Sequence, residues 1–137
     1  MGGRRAMDND GISAPGESLR EVGTRDLWQL ALVSRDGHIC GRVIRQMVEL
    51  SMYTVRYLIV YDENSQRHIP IPANTIQEIT TEAIFCNIDA HLLRSLPSLN
   101  YPFDRVQEEV IHKSLSLMPY WIEEAGVHSD SHGDDKH

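Results

Sequence analysis

The stretches ALVSRDGHICGRVIRQMVEL (31–50), YTVRYLIVYDENSQRHIPIPANTI (53–76) and EITTEAIFCNID (78–89) decide the fold of this chain. They are short, β-branched apolar runs separated by turn residues, the pattern of several closely spaced strands in a small barrel or sandwich. Arg35-Asp36-Gly37-His38 lies between two such runs. Asp-Gly is a strong hairpin signal, because glycine accepts positive φ and aspartate tolerates it. The next run, Ile39 to Leu50, alternates until Val43-Ile44, where two apolar residues adjoin. That slip predicts a bulge or a strand bending round a corner, and Gly41 fits a close backbone approach nearby.

Tyr53 to Asp62 reads as the clearest strand. It carries Val55, Tyr57, Ile59 and Tyr61 on one face and Thr54, Arg56, Leu58 and Val60 on the other. The second face turns apolar toward its end, which predicts cover on both sides there. Asp62-Glu63-Asn64-Ser65 is a turn cluster. His68-Ile69-Pro70-Ile71-Pro72 resumes extended structure, and its prolines assign it to an edge. Ile76 to Ile79 and Ala83 to Ile88 are two further short strands. The second half turns helical: Asp89 is the expected N-cap for Ala90 to Leu96, stopped by Pro97, and Asp104 that of a longer helix. In the latter, Val106, Val110, Ile111, Lys113, Ser114 and Leu117 follow the helical period, and Glu108 and Glu109 lie near the positive helix start. Pro119 ends it, and Tyr120-Trp121-Ile122 forms an apolar plug.

The expected organisation is a flexible leader over 1–24, with a short helical turn around Glu17 to Val22, and a β core over 25–90. A helical extension over 91–126 packs on that core, followed by an acidic, histidine-bearing tail over 127–137. At 137 residues with a net charge of −7, there is room for one domain plus tails, and the acidic balance disfavours nucleic acid. Arg42, Arg45, Arg56 and Arg67 concentrate in the β region, where solvation or pairing with Glu49, Asp62 and Glu63 is expected. No run is long enough to span a bilayer, and no apolar core follows Arg4 and Arg5, so no secretory signal is expected. Ala6 disfavours myristoylation after Met-Gly. A cytoplasmic location follows by elimination. Cys40 and Cys86 sit in apolar runs and read as small buried hydrophobes, with a bridge possible only between neighbouring strands.

At this point the residues resemble the PRC-barrel family, whose members include the cytoplasmic domain of the photosynthetic reaction-centre H subunit and a ribosome-maturation factor. The resemblance rests on Gly41-Arg42-Val43, the apolar strand Val55 to Val60, and Ile69-Pro70-Ile71-Pro72, over about residues 27 to 90. Tyr101-Pro102-Phe103 and Pro119-Tyr120-Trp121 are similar to the tail of bacterial members. It implies a mainly β fold, a small PRC-type barrel followed by C-terminal helices. Many members carry an acidic residue where Arg45 stands here. The family has no shared catalytic motif, so it implies no site residues.

No GxSxG elbow or phosphate loop is present, and a side-chain-filled barrel leaves little room for substrate, so no enzyme activity and no cofactor are expected. The reading is a non-catalytic protein–protein interaction module that binds an unidentified protein partner and self-associates as a homodimer. Its candidate interaction surface is Arg42, Arg45, Leu50, Met52, Arg56 and Tyr101, with Leu99 nearby. A second reading is a ligand- or metal-responsive module. Its weak metal candidates are His128, His132 and His137 in the tail, while His38, His68, His91 and His112 are scattered without an HxxxH pair. A third, by family analogy, is a ribosome-assembly factor.

Overall fold

A computed structural model describes residues 19–124 of the chain. Seven strands form one mixed sheet: β1 (Leu19–Gly23), β2 (Ala31–Val33), β3 (Ile39–Glu49), β4 (Thr54–Asp62), β5 (Arg67–Pro72), β6 (Ile76–Ile79) and β7 (Ala83–Cys86). Two helices follow, α1 (Ala90–Ser95) and α2 (Arg105–Ser114), and a helical turn begins at Tyr120. The fold is thus mainly β with C-terminal helices, as the sequence predicts. The ladder runs β5-β4-β3-β2-β7-β6, with β1 also on β3. It does not close, since β5 and β6 are not paired with each other. They are, however, consecutive in the chain and joined only by the 3-10 turn Ala73–Thr75. All neighbours are antiparallel except β2 and β7.

The predicted devices are in place. Gly37 adopts φ +88° in the β2–β3 turn, which Ser34 N closes by donating to His38 O at 2.8 Å. The register of β3 on β4 shifts between Val43 and Arg45, so Ile44 is the extra residue of the bulge. Gly41, at φ +146°, lies so close to β4 that an added Cβ would overlap Val60 Cγ1 and stand 2.7 Å from Tyr61 O. The proline strand β5 is an edge, paired only with β4. Asp89 caps α1 by accepting from Leu92 N at 2.8 Å, and Asp104 caps α2 by accepting from Gln107 N at 3.1 Å.

Three expectations are corrected. Leu19–Gly23, read as part of a flexible leader with a helical turn, is a strand in register with Glu49 to Arg45. Its five residues cannot bury a core alone and are held by the long partner strand. Second, α2 stops at Ser114, before Pro119: Ser116 takes φ 57° and Leu117 N returns to His112 O at 2.8 Å, a left-handed terminus that needs no proline. Third, Val106 and Val110 face outward, and the buried face of α2 carries Glu108, Ile111 and His112.

Two cores result. The first collects Leu32, Val43, Leu58, Val60, Ile71 and Ile84 with Leu93 and Leu96 of the α1 segment. Cys40 and Cys86 lie in it as free, buried thiols, and burial pushes both above their ordinary pKa. The other core, on the opposite face of β3 and β4, joins Met47, Tyr57 and Ile59 to Phe103, Ile111 and Tyr120.

Candidate functional site

The second core contains the most unusual chemistry among the described residues. Glu108 is 0% exposed. It reaches this position because residues 108, 111 and 112 share the inward stripe of α2, at helical spacing. Its Oε1 accepts from two phenols, Tyr57 of β4 at 2.8 Å and Tyr120 at 2.7 Å. Burial first, then the facing Glu108 carboxylate, raises both phenols well above their ordinary pKa. Its Oε2 lies 3.6 Å from Arg105 Nη1, beyond hydrogen-bond reach, and neither atom has another hydrogen-bond partner among the described residues.

Two arginines flank this carboxylate. Arg105 stacks on Trp121, with its guanidinium carbon 3.7 Å from the ring centre. Arg56 sits 4.0 Å over the Tyr120 ring and is held at its edges by Glu49 at 2.6 Å and Glu124 at 2.8 Å. Burial alone would lower the pKa of Arg56, but the hydrogen bonds and charges of Glu124 and Glu49 outweigh it and hold the guanidinium above its ordinary value. The cluster is a latch that fastens the C-terminal segment to β3 and β4. It uses cation–π contacts and charge-assisted bonds in place of apolar burial alone.

Beside the latch lies a cleft of about 260 Å³ whose walls include Val55, Arg56, Pro72, Ala73, His112 and Tyr120. It is bounded by the start of β4, the end of β5 and its 3-10 turn, and α2.

The sequence-predicted surface residues do not converge. Arg56 is only 9% exposed in its side chain and belongs to the latch. Arg42 and Arg45 are exposed on β3, Arg42 donating to Gln29 O at 3.2 Å. Arg67, a further strand arginine, seals the end of α1 by donating to Leu96 O at 2.7 Å and Arg94 O at 2.8 Å. Leu50 and Met52 are exposed at the β3–β4 turn, next to Tyr53. Tyr101 is exposed on the other side of β3, where its hydroxyl donates to Glu21 Oε2 at 2.7 Å. Burial and Glu21 raise its pKa to about 12. Leu99 is packed against the second core.

The histidines are dispersed too. His38 lies in the β2–β3 turn, 3.8 Å from Asp36; His68 stands beside the Tyr61 ring, centroids 5.0 Å apart; His91 is exposed on α1; and His112 is buried. Among the described residues no three metal-ligating side chains gather. The candidates His128, His132 and His137 lie outside the described residues. No described helix is long and apolar enough to cross a membrane.

Glu108 and the roles of Tyr57 and Tyr120 were missed by sequence reasoning. The available signal was the i, i+3, i+4 spacing of Glu108, Ile111 and His112, which puts a carboxylate on an apolar stripe. Comparison with known proteins adds no assignment: no family model matches the chain, and no curated protein sequence matches it.

Proposed function

We propose that this chain is a non-catalytic interaction module of PRC-barrel type that acts in the cytoplasm, self-associates as a twofold dimer and docks a protein partner. The barrel reading is supported by the two edge strands of the sheet being consecutive and tied by a three-residue turn, together with the Gly41 close approach. The observation that carries the functional reading is the β3–β4 turn. There Tyr53 is 85% exposed at φ 51°, a conformation a bulky residue adopts only under constraint. Leu50 and Met52 flank it, also exposed. Large apolar side chains grouped on one turn are the composition of an interface anchor.

Sedimentation equilibrium of the full chain tests the reading. A dimer is expected, and the double substitution Met52→Ser with Tyr53→Ser should weaken it by about tenfold or more, the scale of lost anchor residues. A chain that remains monomeric at high concentration, or a dimer indifferent to that double substitution, would overturn it.

A further inference from the structure

The β3–β4 turn and the cleft beside the latch are continuous. Thr54, Val55 and Arg56, which form one wall of the cleft, follow Tyr53 directly in the chain. Thr54 Oγ1 donates to Met52 O at 3.1 Å, and Arg56 Nη2 donates to Met52 Sδ at 3.7 Å. A projecting ring and a hollow therefore adjoin. Tyr53 is 85% exposed, so its ring lies outside its own chain's cleft. Its backbone is tied by Tyr53 N donating to Leu50 O at 3.3 Å and Met52 N to Glu49 O at 3.2 Å, which limits the ordering cost of burying that ring against a partner.

The hollow suits a tyrosine. An apolar cavity of about 150 Å³ can take a benzene ring, and the cleft of about 260 Å³ has room for a ring and its hydroxyl. Val55, Pro72 and Ala73 contribute apolar wall, and Asn74 contributes an amide. A phenol hydroxyl both donates and accepts, so it matches that amide whichever end is presented. It also brings no charge to a wall where Arg56 is already held by Glu49 and Glu124.

In a twofold contact the same patch serves both copies. An axis passing between ring and hollow carries each ring into the other copy's cleft, so both insertions form together and the assembly closes as a dimer. We propose that Tyr53 of one copy inserts into the cleft of a second copy, between β4, the 3-10 turn and α2, and receives the second copy's Tyr53 in return. The proposal rests on the self-association read above and adds the receiving site, part of which (Pro72 to Asn74) lies far from the turn in sequence.

The test is sedimentation equilibrium of the full chain in two variants. Tyr53→Ser removes the ring and Ala73→Leu fills the hollow. Each alone should dimerise about tenfold or more weakly, the scale of a lost anchor, with circular dichroism unchanged. An equimolar mixture should dimerise more tightly than either variant alone, because the Ala73→Leu chain still offers a ring and the Tyr53→Ser chain still offers a hollow. A second measurement needs no variant: in the unsubstituted chain, mixed from isotope-labelled and unlabelled protein, nuclear Overhauser contacts between the Tyr53 ring and the Ala73 methyl should cross between copies. A dimer indifferent to a folded Ala73→Leu, a mixture no tighter than its components, or a dimer without that interchain contact would overturn the insertion and leave the turn as the interface. A chain that stays monomeric at high concentration overturns both.

Discussion

The two faces of β4 are covered by different chemistry. Leu58 and Val60 enter a core made of aliphatic side chains and two thiols. Tyr57 and Ile59, one residue out of phase, meet a layer organised around a buried carboxylate, two phenols and two stacked arginines. The aliphatic core is non-directional: it rewards burial and tolerates substitutions that preserve volume. The outer layer is directional, and each member depends on a partner that cannot be replaced by an equal volume. The first holds the strands to α1; the second fastens α2 and the Tyr120 segment to the other face.

Substitutions on the two sides should separate these roles. The largest loss is expected for Glu108→Ala, which leaves two buried phenols without their acceptor and the Arg105 guanidinium without its ion-pair partner. Urea unfolding should show about 4 kcal/mol lost, the scale for breaking a buried charged pair. Glu108→Gln, which keeps an acceptor oxygen for the phenols, should lose clearly less. If both cost the same, the hydrogen bonds are not what hold the layer. Leu58→Ala, next to Tyr57 in sequence and on the opposite face of β4, should cost about 3 kcal/mol through the cavity it leaves. It should lower the stability of the sheet as a whole, whereas Glu108→Ala should first release the C-terminal segment, seen as faster amide exchange in α2. Equal protection changes in both elements would erase the distinction.

The smallest effect is expected for Tyr57→Phe, about 1 kcal/mol near neutral pH, for one lost hydrogen bond. That cost shrinks at alkaline pH. Burial and Glu108 keep Tyr57 and Tyr120 protonated in the fold, whereas phenols of the unfolded chain ionise near pH 10. Above that pH the unfolded state binds fewer protons, so their contribution to stability is full below pH ~10 and declines as pH rises beyond it. The double variant Tyr57→Phe with Tyr120→Phe should flatten that decline in denaturation midpoints recorded from pH 8 to 11. An unchanged slope would remove these phenols as its source.

Most of the sheet was legible because its signals are local. The Asp36-Gly37 turn, the Val43-Ile44 phase slip, Gly41 and the prolines of β5 each impose a backbone geometry on their own neighbours. The two N-caps were legible for the same reason. β1 was not, because LREVG becomes a strand only through a partner more than twenty residues away. The orientation of α2 was hidden as well. Val106 and Val110 look like the core face until the depth of the Tyr57–Glu108 pair is known, and that pair spans 51 positions. The polar latch was illegible in kind: a buried glutamate carries no local mark beyond its place on an apolar stripe. Arg56 was misplaced as a surface residue because a strand arginine is ordinarily solvated, and nothing local announces the ring it covers.

The one parallel pairing of the sheet sets an order of events. β2, β3, β4 and β5 meet their neighbours through short turns, so this meander can form with little loop entropy. Joining Ala31–Val33 to Ala83–Phe85 instead closes a loop of 52 residues, whose entropic cost falls after the meander exists. β7 and β6 are therefore late arrivals, and the aliphatic core is completed from the side of Ile84 rather than nucleated there. A truncation such as Ile84→Val should accordingly be felt in how fast the molecule comes apart, with little change in how fast it assembles.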